Sequence, residues 1–149
     1  MDSLFSAPAA QATLFADGGS RGNPGHAASG AVIVAADGSV LAEVGTYLGI
    51  ATNNVAEWNG LVDGLAEARK LGIDSLAVRL DSELVVKQLT GEYRVKHPDL
   101  QPFHQKAKKL LREFLHVDLK HVPRKENKLA DALVNYVLDE RAALAAIEE

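Results

Sequence analysis

Apolar and polar residues change their spacing several times along the chain, and each change marks an element. Residues 12–16 (Ala-Thr-Leu-Phe-Ala) form a short apolar run that stops at Asp17 and predicts a buried strand. From Asp17 to Gly25 the chain carries four glycines and one proline, which predicts a turn-rich loop. Residues 29–36 predict a second strand, and Asp37-Gly38 is a hairpin signal. Residues 39–49 return as a third strand, completing an antiparallel meander. The helical period then appears over 54–71, where Trp58, Leu61, Val62, Leu65 and Ala68 form one stripe before Gly72.

The second half alternates strand and helix. Residues 75–80 predict a strand ending at Asp81, and 82–90 a short helix with Leu84, Val85 and Leu89. Residues 91–99 form a linker. Residues 100–115 predict a helix with Phe103, Ala107, Leu110, Leu111 and Phe114 inward. Residues 116–122 alternate as an edge strand, 123–128 form a polar loop, and 129–147 predict the last helix. The order βββαβααβα indicates an α/β domain, a mixed sheet flanked by helices. Residues 1–11 are small and polar and predict a flexible leader before a single domain over 12–149.

Composition narrows the function. A chain of 149 residues, 47% hydrophobic and 24% charged, is an ordinary globular domain. The absence of cysteine excludes a disulfide scaffold, a thiolate metal site and a cysteine nucleophile, and fits a cytoplasmic protein. No apolar run is long enough for a membrane span, and the acidic N-terminus predicts no secretion signal. The net charge is −4, yet residues 85–131 alone carry +5, between segments of −6 and −3. A basic segment inside an acidic chain suits a phosphate-binding face or a solvated helix face.

Four acidic residues stand out by position. Asp17 and Asp81 each end an apolar strand, where open α/β sheets commonly bind ligands. Glu57 and Asp131 border apolar stripes near helix starts. Each has an ordinary structural reading. An aspartate starts turns and caps helices, Asn54 to Glu57 fits a capping box, and Asp131 suits a helix dipole. Brought together, four carboxylates would repel one another, and hard divalent cations such as Mg²⁺ would relieve that repulsion.

Four motifs in order resemble type 1 ribonuclease H. Asp17-Gly18-Gly19-Ser20-Arg21-Gly22-Asn23-Pro24-Gly25 is similar to its first motif, and Thr52-Asn53-Asn54-Val55-Ala56-Glu57 to its second. Leu80-Asp81-Ser82 resembles the third and Asn127-Lys128-Leu129-Ala130-Asp131 the fourth. The resemblance covers about residues 12–140 and is strongest to compact prokaryotic forms, including the ribonuclease H domain of actinobacterial ribonuclease H/phosphatase proteins.

That resemblance implies a five-stranded mixed sheet in order 3-2-1-4-5, its first three strands antiparallel, with helices on both faces. It implies an endonuclease that hydrolyses the RNA strand of RNA/DNA hybrids with two Mg²⁺ ions, or Mn²⁺ in their place, leaving 5′-phosphate and 3′-hydroxyl ends. Asp17, Glu57, Asp81 and Asp131 match the acidic tetrad. Asn23, Thr52 and Asn54 match positions that contact the hybrid backbone.

Two departures are visible. The loop 122–127 is too short to carry the mobile histidine of many relatives, and His121 lies before it, so Lys125 or Glu126 would substitute. The basic, Trp-rich helix of many relatives is also missing, which leaves Tyr93, Arg94 and Lys96 to grip the substrate. A catalytically silent hybrid-binding module is the alternative, but it needs a broken tetrad. A P-loop nucleotide site is a poor reading, because the glycine-rich stretch lacks the Gly-Lys-Ser/Thr ending. A monomer is expected, with no membrane partner.

Overall fold

The computed structural model describes residues 10–148, so the leader over 1–9 lies outside the described residues. Gln11, its last residue, is tied down: its side chain accepts from the amides of Asp74 and Ser75 at 2.7 and 3.0 Å. The elements are β1 (Ala12–Arg21), β2 (Gly25–Ala35), β3 (Val40–Ala51), α1 (Asn53–Lys70), β4 (Ser75–Leu80), α2 (Glu83–Thr90), α3 (Gln101–Leu111), β5 (His116–His121) and α4 (Lys128–Glu148). A single 3₁₀ turn, Arg124–Glu126, precedes α4. The sheet order is β3-β2-β1-β4-β5, as the resemblance implies. β1, β2 and β3 run antiparallel, and β4 pairs parallel with both β1 and β5.

Helices cover both faces. On one face α1 lies over Leu14 and Ala31, which Gly64 meets directly. Trp58, Leu61 and Leu65 are fully buried there, and Trp58 takes the edge of His104 from α3. On the other face Val134 of α4 contacts Gly19 and Gly30. Leu14 and Ala16 therefore face α1, while Asp17, Gly19 and Arg21 alternate toward α4. Among the described residues no helix is long and apolar enough to cross a membrane.

Several boundaries differ from the sequence reading, among them the start of β2, which lies at Gly25 instead of 29. β1 runs on through the glycines to Arg21, so Asp17 sits in mid-strand opposite Gly30. The predicted turn shrinks to residues 22–24. The glycines remain extended because they pair with Ser29 and Ala28 of β2, and glycine is required at 18 by the approach of helix α1: a Cβ on Gly18 would lie 2.1 Å from the carbonyl carbon of Ala56. Helix α3 stops at Leu111 instead of 115. The chain there must turn back into the sheet, and the amides of Leu115 and His116 both donate to the Asp74 carbonyl. Helix α1 begins one residue early. Thr52 is its N-cap and accepts from the Val55 amide at 3.2 Å, so Glu57 is two residues too far along for the expected capping box.

Candidate active site

The parallel pairing of β1 with β4 ends at Ala16 and Leu80. Beyond that point β1 continues with only β2 beside it, and the sheet opens. Asp17 and Asp81 are the next residues on the two strands. Each emerges from a buried backbone, since Ala16 and Leu80 are nearly inaccessible. Glu57 arrives from α1, whose close approach depends on two glycines. Besides Gly18, a Cβ on Gly60 would lie 2.5 Å from the Asp17 carbonyl oxygen. Asp131 comes from the first turn of α4.

Asn127 fixes that turn. It is fully buried, its Nδ2 donates to the Ala16 carbonyl at 2.9 Å, and its own carbonyl accepts from the Asp131 amide at 3.1 Å. One side chain thus ties the start of α4 to the residue before Asp17. The four carboxylates line a single open cavity of about 420 Å³, together with Ser20, Arg21, Asn53, Arg124 and Asn135.

The electrostatics of this cavity are those of crowded anions. Burial, then the negative charge of Asp81, pushes the Asp17 carboxyl up from 3.8 to about 7. Asp131 and Glu57 add to the rise, against a hydrogen bond from the Gly18 amide at 2.9 Å. Burial also raises Glu57, opposed by a hydrogen bond with Ser82 and reinforced by Asp81. Asp131 accepts from Arg124 at 3.4 Å.

Among the described residues no three His, Cys, Asp or Glu side chains already close around one point as a metal cage. The donor set nonetheless fits hard divalent cations. It offers carboxylate oxygens on separate rigid elements, an open mouth for retained water, and a charge surplus that a cation would cancel.

The remaining predicted residues fall into two further sites, one adjoining the carboxylate cavity and one apart from it. Asn23, Thr52 and Asn54 line a cavity of about 390 Å³ that shares Asn53 and Glu57 with the carboxylate cavity. Asn23 Oδ1 accepts from the Asn53 amide at 3.1 Å, holding the β1–β2 turn against the start of α1. Asn54 Oδ1 is buried and has no hydrogen-bond partner among the described residues. Tyr93, Arg94 and Lys96 lie apart, around a cavity they share with Gln88, His104 and Lys108. Lys87 sits over the Tyr93 ring at 5.0 Å. His121, off the short loop, contacts the Asp81 carbonyl at 3.3 Å.

Sequence reasoning missed three polar residues. Asn53 accepts from the Ser20 amide at 2.7 Å and lines both cavities. Arg124 reaches Asp131, and Asn127 clamps β1 to α4. The signals were present in the doubled asparagine and in the four-residue spacing of Asn127 and Asp131.

Comparison with known proteins agrees with this geometry. The family model described as reverse transcriptase-like matches residues 15–137. The bifunctional protein Rv2228c of Mycobacterium tuberculosis is 50% identical over 134 residues, which is 89% of this chain and 37% of that one. The ribonuclease HI of Halobacterium salinarum is 48% identical over 83% of this chain and 62% of its own length. This chain therefore spans only part of these curated relatives.

The N-terminal ribonuclease H domain of Rv2228c superposes with a TM-score of 0.86 at 47% identity, covering 92% of this chain and 99% of that one. LC11-RNase H1 in complex with RNA/DNA hybrid superposes with a TM-score of 0.81 at 38% identity, over 88% of this chain and 99% of that one. By the family match and by its overlap with these whole domains, the chain belongs to the reverse transcriptase-like family and, within it, to the compact type 1 ribonucleases H.

Proposed function

We propose that the protein is an endonuclease that hydrolyses the RNA strand of RNA/DNA hybrids, leaving 5′-phosphate and 3′-hydroxyl ends. One observation carries the reading. Four carboxylates from β1, α1, β4 and α4 line one cavity at the point where the sheet opens. The relative solved with RNA/DNA hybrid shares the fold over nearly its whole length. An intact tetrad disfavours the silent binding module, which has no use for four crowded acids.

The family generally uses divalent metal ions, and two Mg²⁺ ions suit this cavity. When bound, they supply electrostatic stabilisation of the attacking and leaving oxygens in an in-line phosphodiester displacement. The chain's own residues do the rest. Asp17, whose carboxyl feels Asp81, Asp131 and Glu57 together, is the central anion. Glu57 lies where its carboxylate serves both a cation and a ribose 2′-hydroxyl, the group that distinguishes RNA from DNA. Asn23, Thr52 and Asn54, adjoining Glu57, contact the hybrid backbone. Tyr93, Arg94 and Lys96 grip it farther out. Arg124 balances Asp131 before cations arrive. The enzyme works in this reading as a cytoplasmic monomer, with the hybrid and no membrane as partner.

The test is cleavage of an RNA strand labelled at one end and annealed to DNA, beside the same sequence as a DNA–DNA duplex. The expected result is Mg²⁺-dependent cuts in the RNA strand alone. A hybrid left whole at every Mg²⁺ and Mn²⁺ concentration would overturn the assignment.

A further inference from the structure

A second cavity, of about 380 Å³, opens where the tip of the β1–β2 hairpin meets the far end of α4. It shares Arg21 and Leu138 with the carboxylate cavity and is continuous with it. Three side chains give it its character. Arg21 and His26 are direct cross-strand partners on β1 and β2. Arg141 lies on α4, with its guanidinium 5.0 Å from the centre of the Tyr47 ring. His26 Nδ1 is 2.6 Å from the Tyr47 hydroxyl and its ring stacks on Tyr47, which fixes the imidazole at the rim.

The charge distribution is unusual here. Arg21 is the only lysine or arginine in the first 68 residues, and Arg141 the only one after Lys128. The single cations of two otherwise acidic segments come to one pocket from opposite ends of the chain. On α4 the sheet-facing stripe is apolar at Ala130, Val134 and Leu138 and continues through Ala142, Ala145 and Ala146, which floor the pocket, with Arg141 set among them.

Distance gives this pocket a role. Arg21 lies four residues beyond Asp17 on the same face of β1, about 13 Å along the strand. Arg141 lies ten residues beyond Asp131 on α4, about 15 Å along the helix. Both measures place the pocket about 13–15 Å from the carboxylates, within reach of the same bound strand. We propose that Arg21, His26 and Arg141 form a backbone subsite for the strand being cut, holding its phosphates away from the scissile bond. This rests on the carboxylate cavity being the cleavage site. Asp139 opposes the role, since it pairs with Arg21 at 2.6 Å in an exposed ion pair that a phosphate would displace.

The test measures binding of a fluorescent RNA/DNA hybrid by anisotropy across a salt series, with steady-state cleavage alongside. Arg21→Ala with Arg141→Ala should weaken binding by about tenfold and flatten the slope of log affinity against log salt by about two, one per lost phosphate contact. The apparent KM should rise in step with the lost affinity. Arg141→Lys should recover most of the binding, and Asp139→Asn should tighten it severalfold by freeing Arg21. On hybrids whose cut strand ends short of the pocket, wild type and the double variant should bind alike.

Thermal melting confirms that each variant is folded. Unchanged affinity and slope in a folded double variant, with wild type still cutting hybrid, would overturn the subsite and leave the pocket to some other acidic partner. A wild type that neither binds nor cuts hybrid would instead overturn the assignment of the carboxylate cavity.

Discussion

The two halves of β1 are built to opposite rules. Ala12 to Ala16 pairs with β2 on one side and β4 on the other, and its Leu14 and Ala16 are sealed against α1. Asp17 to Arg21 pairs with β2 alone, carries two glycines, and borders the carboxylate cavity. The first half derives its stability from apolar area removed from water. The second half gives up that area to crowd anions, and it keeps its extended backbone only because neighbouring elements hold it. Stability and chemistry thus meet within one strand, at the bond between Ala16 and Asp17. Substitutions on either side should separate them.

The largest effect is expected at Asp17. Asp17→Asn keeps the side chain's shape and removes one charge from the cluster. Activity should fall by about three orders of magnitude or more, because a neutral amide is a poor ligand for a hard cation. The melting temperature without metal should rise, since the repulsion that lifts Asp17 is relieved. Near-normal cleavage by this variant would mean that the second half of the strand is as structural as the first.

Nearly as large an effect is expected at Glu57. With Thr52 as the helix cap, Glu57 has no capping role left to lose. Glu57→Gln should therefore melt within a few degrees of wild type while cleavage is nearly abolished. The companion measurement is a hybrid with a single 2′-deoxy sugar. Wild type should spare that step and cut its neighbours, and cutting there at the ribose rate would remove the 2′-hydroxyl role from Glu57.

In the first half the signs reverse. Leu14→Ala should cost about 2–5 kcal/mol in chemical denaturation, as buried leucine truncations do. The turnover number per folded molecule should stay close to wild type, because Leu14 faces Gly64 and not the cavity. A large drop in turnover with intact folding would show that packing under α1 sets the carboxylate geometry more tightly than the contacts indicate.

This boundary was only half legible in the sequence. The apolar run to Ala16 announces a strand, and the carboxylate after it announces a rim. The glycines then mislead, because their low strand propensity suggests a turn. What keeps Gly18 extended is its pairing with Ser29 of β2, and what requires a glycine there is the backbone of α1; no local pattern records either. Glu57 shows the same limit. Its spacing from Asn54 fits a capping box, but the helix starts at a threonine two residues earlier.

Asn53 and Asn127 read as ordinary turn and loop residues, because their partners Ser20 and Ala16 lie 33 and 111 positions away. Short-period features such as the Asp37-Gly38 hairpin and the stripe of α1 were fully readable. Each is decided by neighbours within a few residues.

The smallest expected effect tests the electrostatic half of the comparison. Asp17 holds its proton to about pH 7 in the folded protein, whereas the unfolded chain releases it near 3.8. Between those values the native state binds more protons than the unfolded state, so stability falls as pH rises through the window and is flat above it. Below 3.8 both states are protonated and Asp17 contributes nothing. Glu57, also raised by burial, acts in the same direction. In metal-free buffer the cost attributable to Asp17 should reach about 1–3 kcal/mol at neutral pH, allowing for screening by water in the open cleft. Denaturant titrations of wild type and Asp17→Asn from pH 4 to pH 8 should therefore diverge, with the variant gaining its advantage by pH 7. Adding Mg²⁺ at pH 7.5 should then narrow the gap, because a cation that binds only the folded cluster stabilises wild type by mass action. If the two proteins keep a constant difference across that range, with and without Mg²⁺, the anions around Asp17 are not crowded.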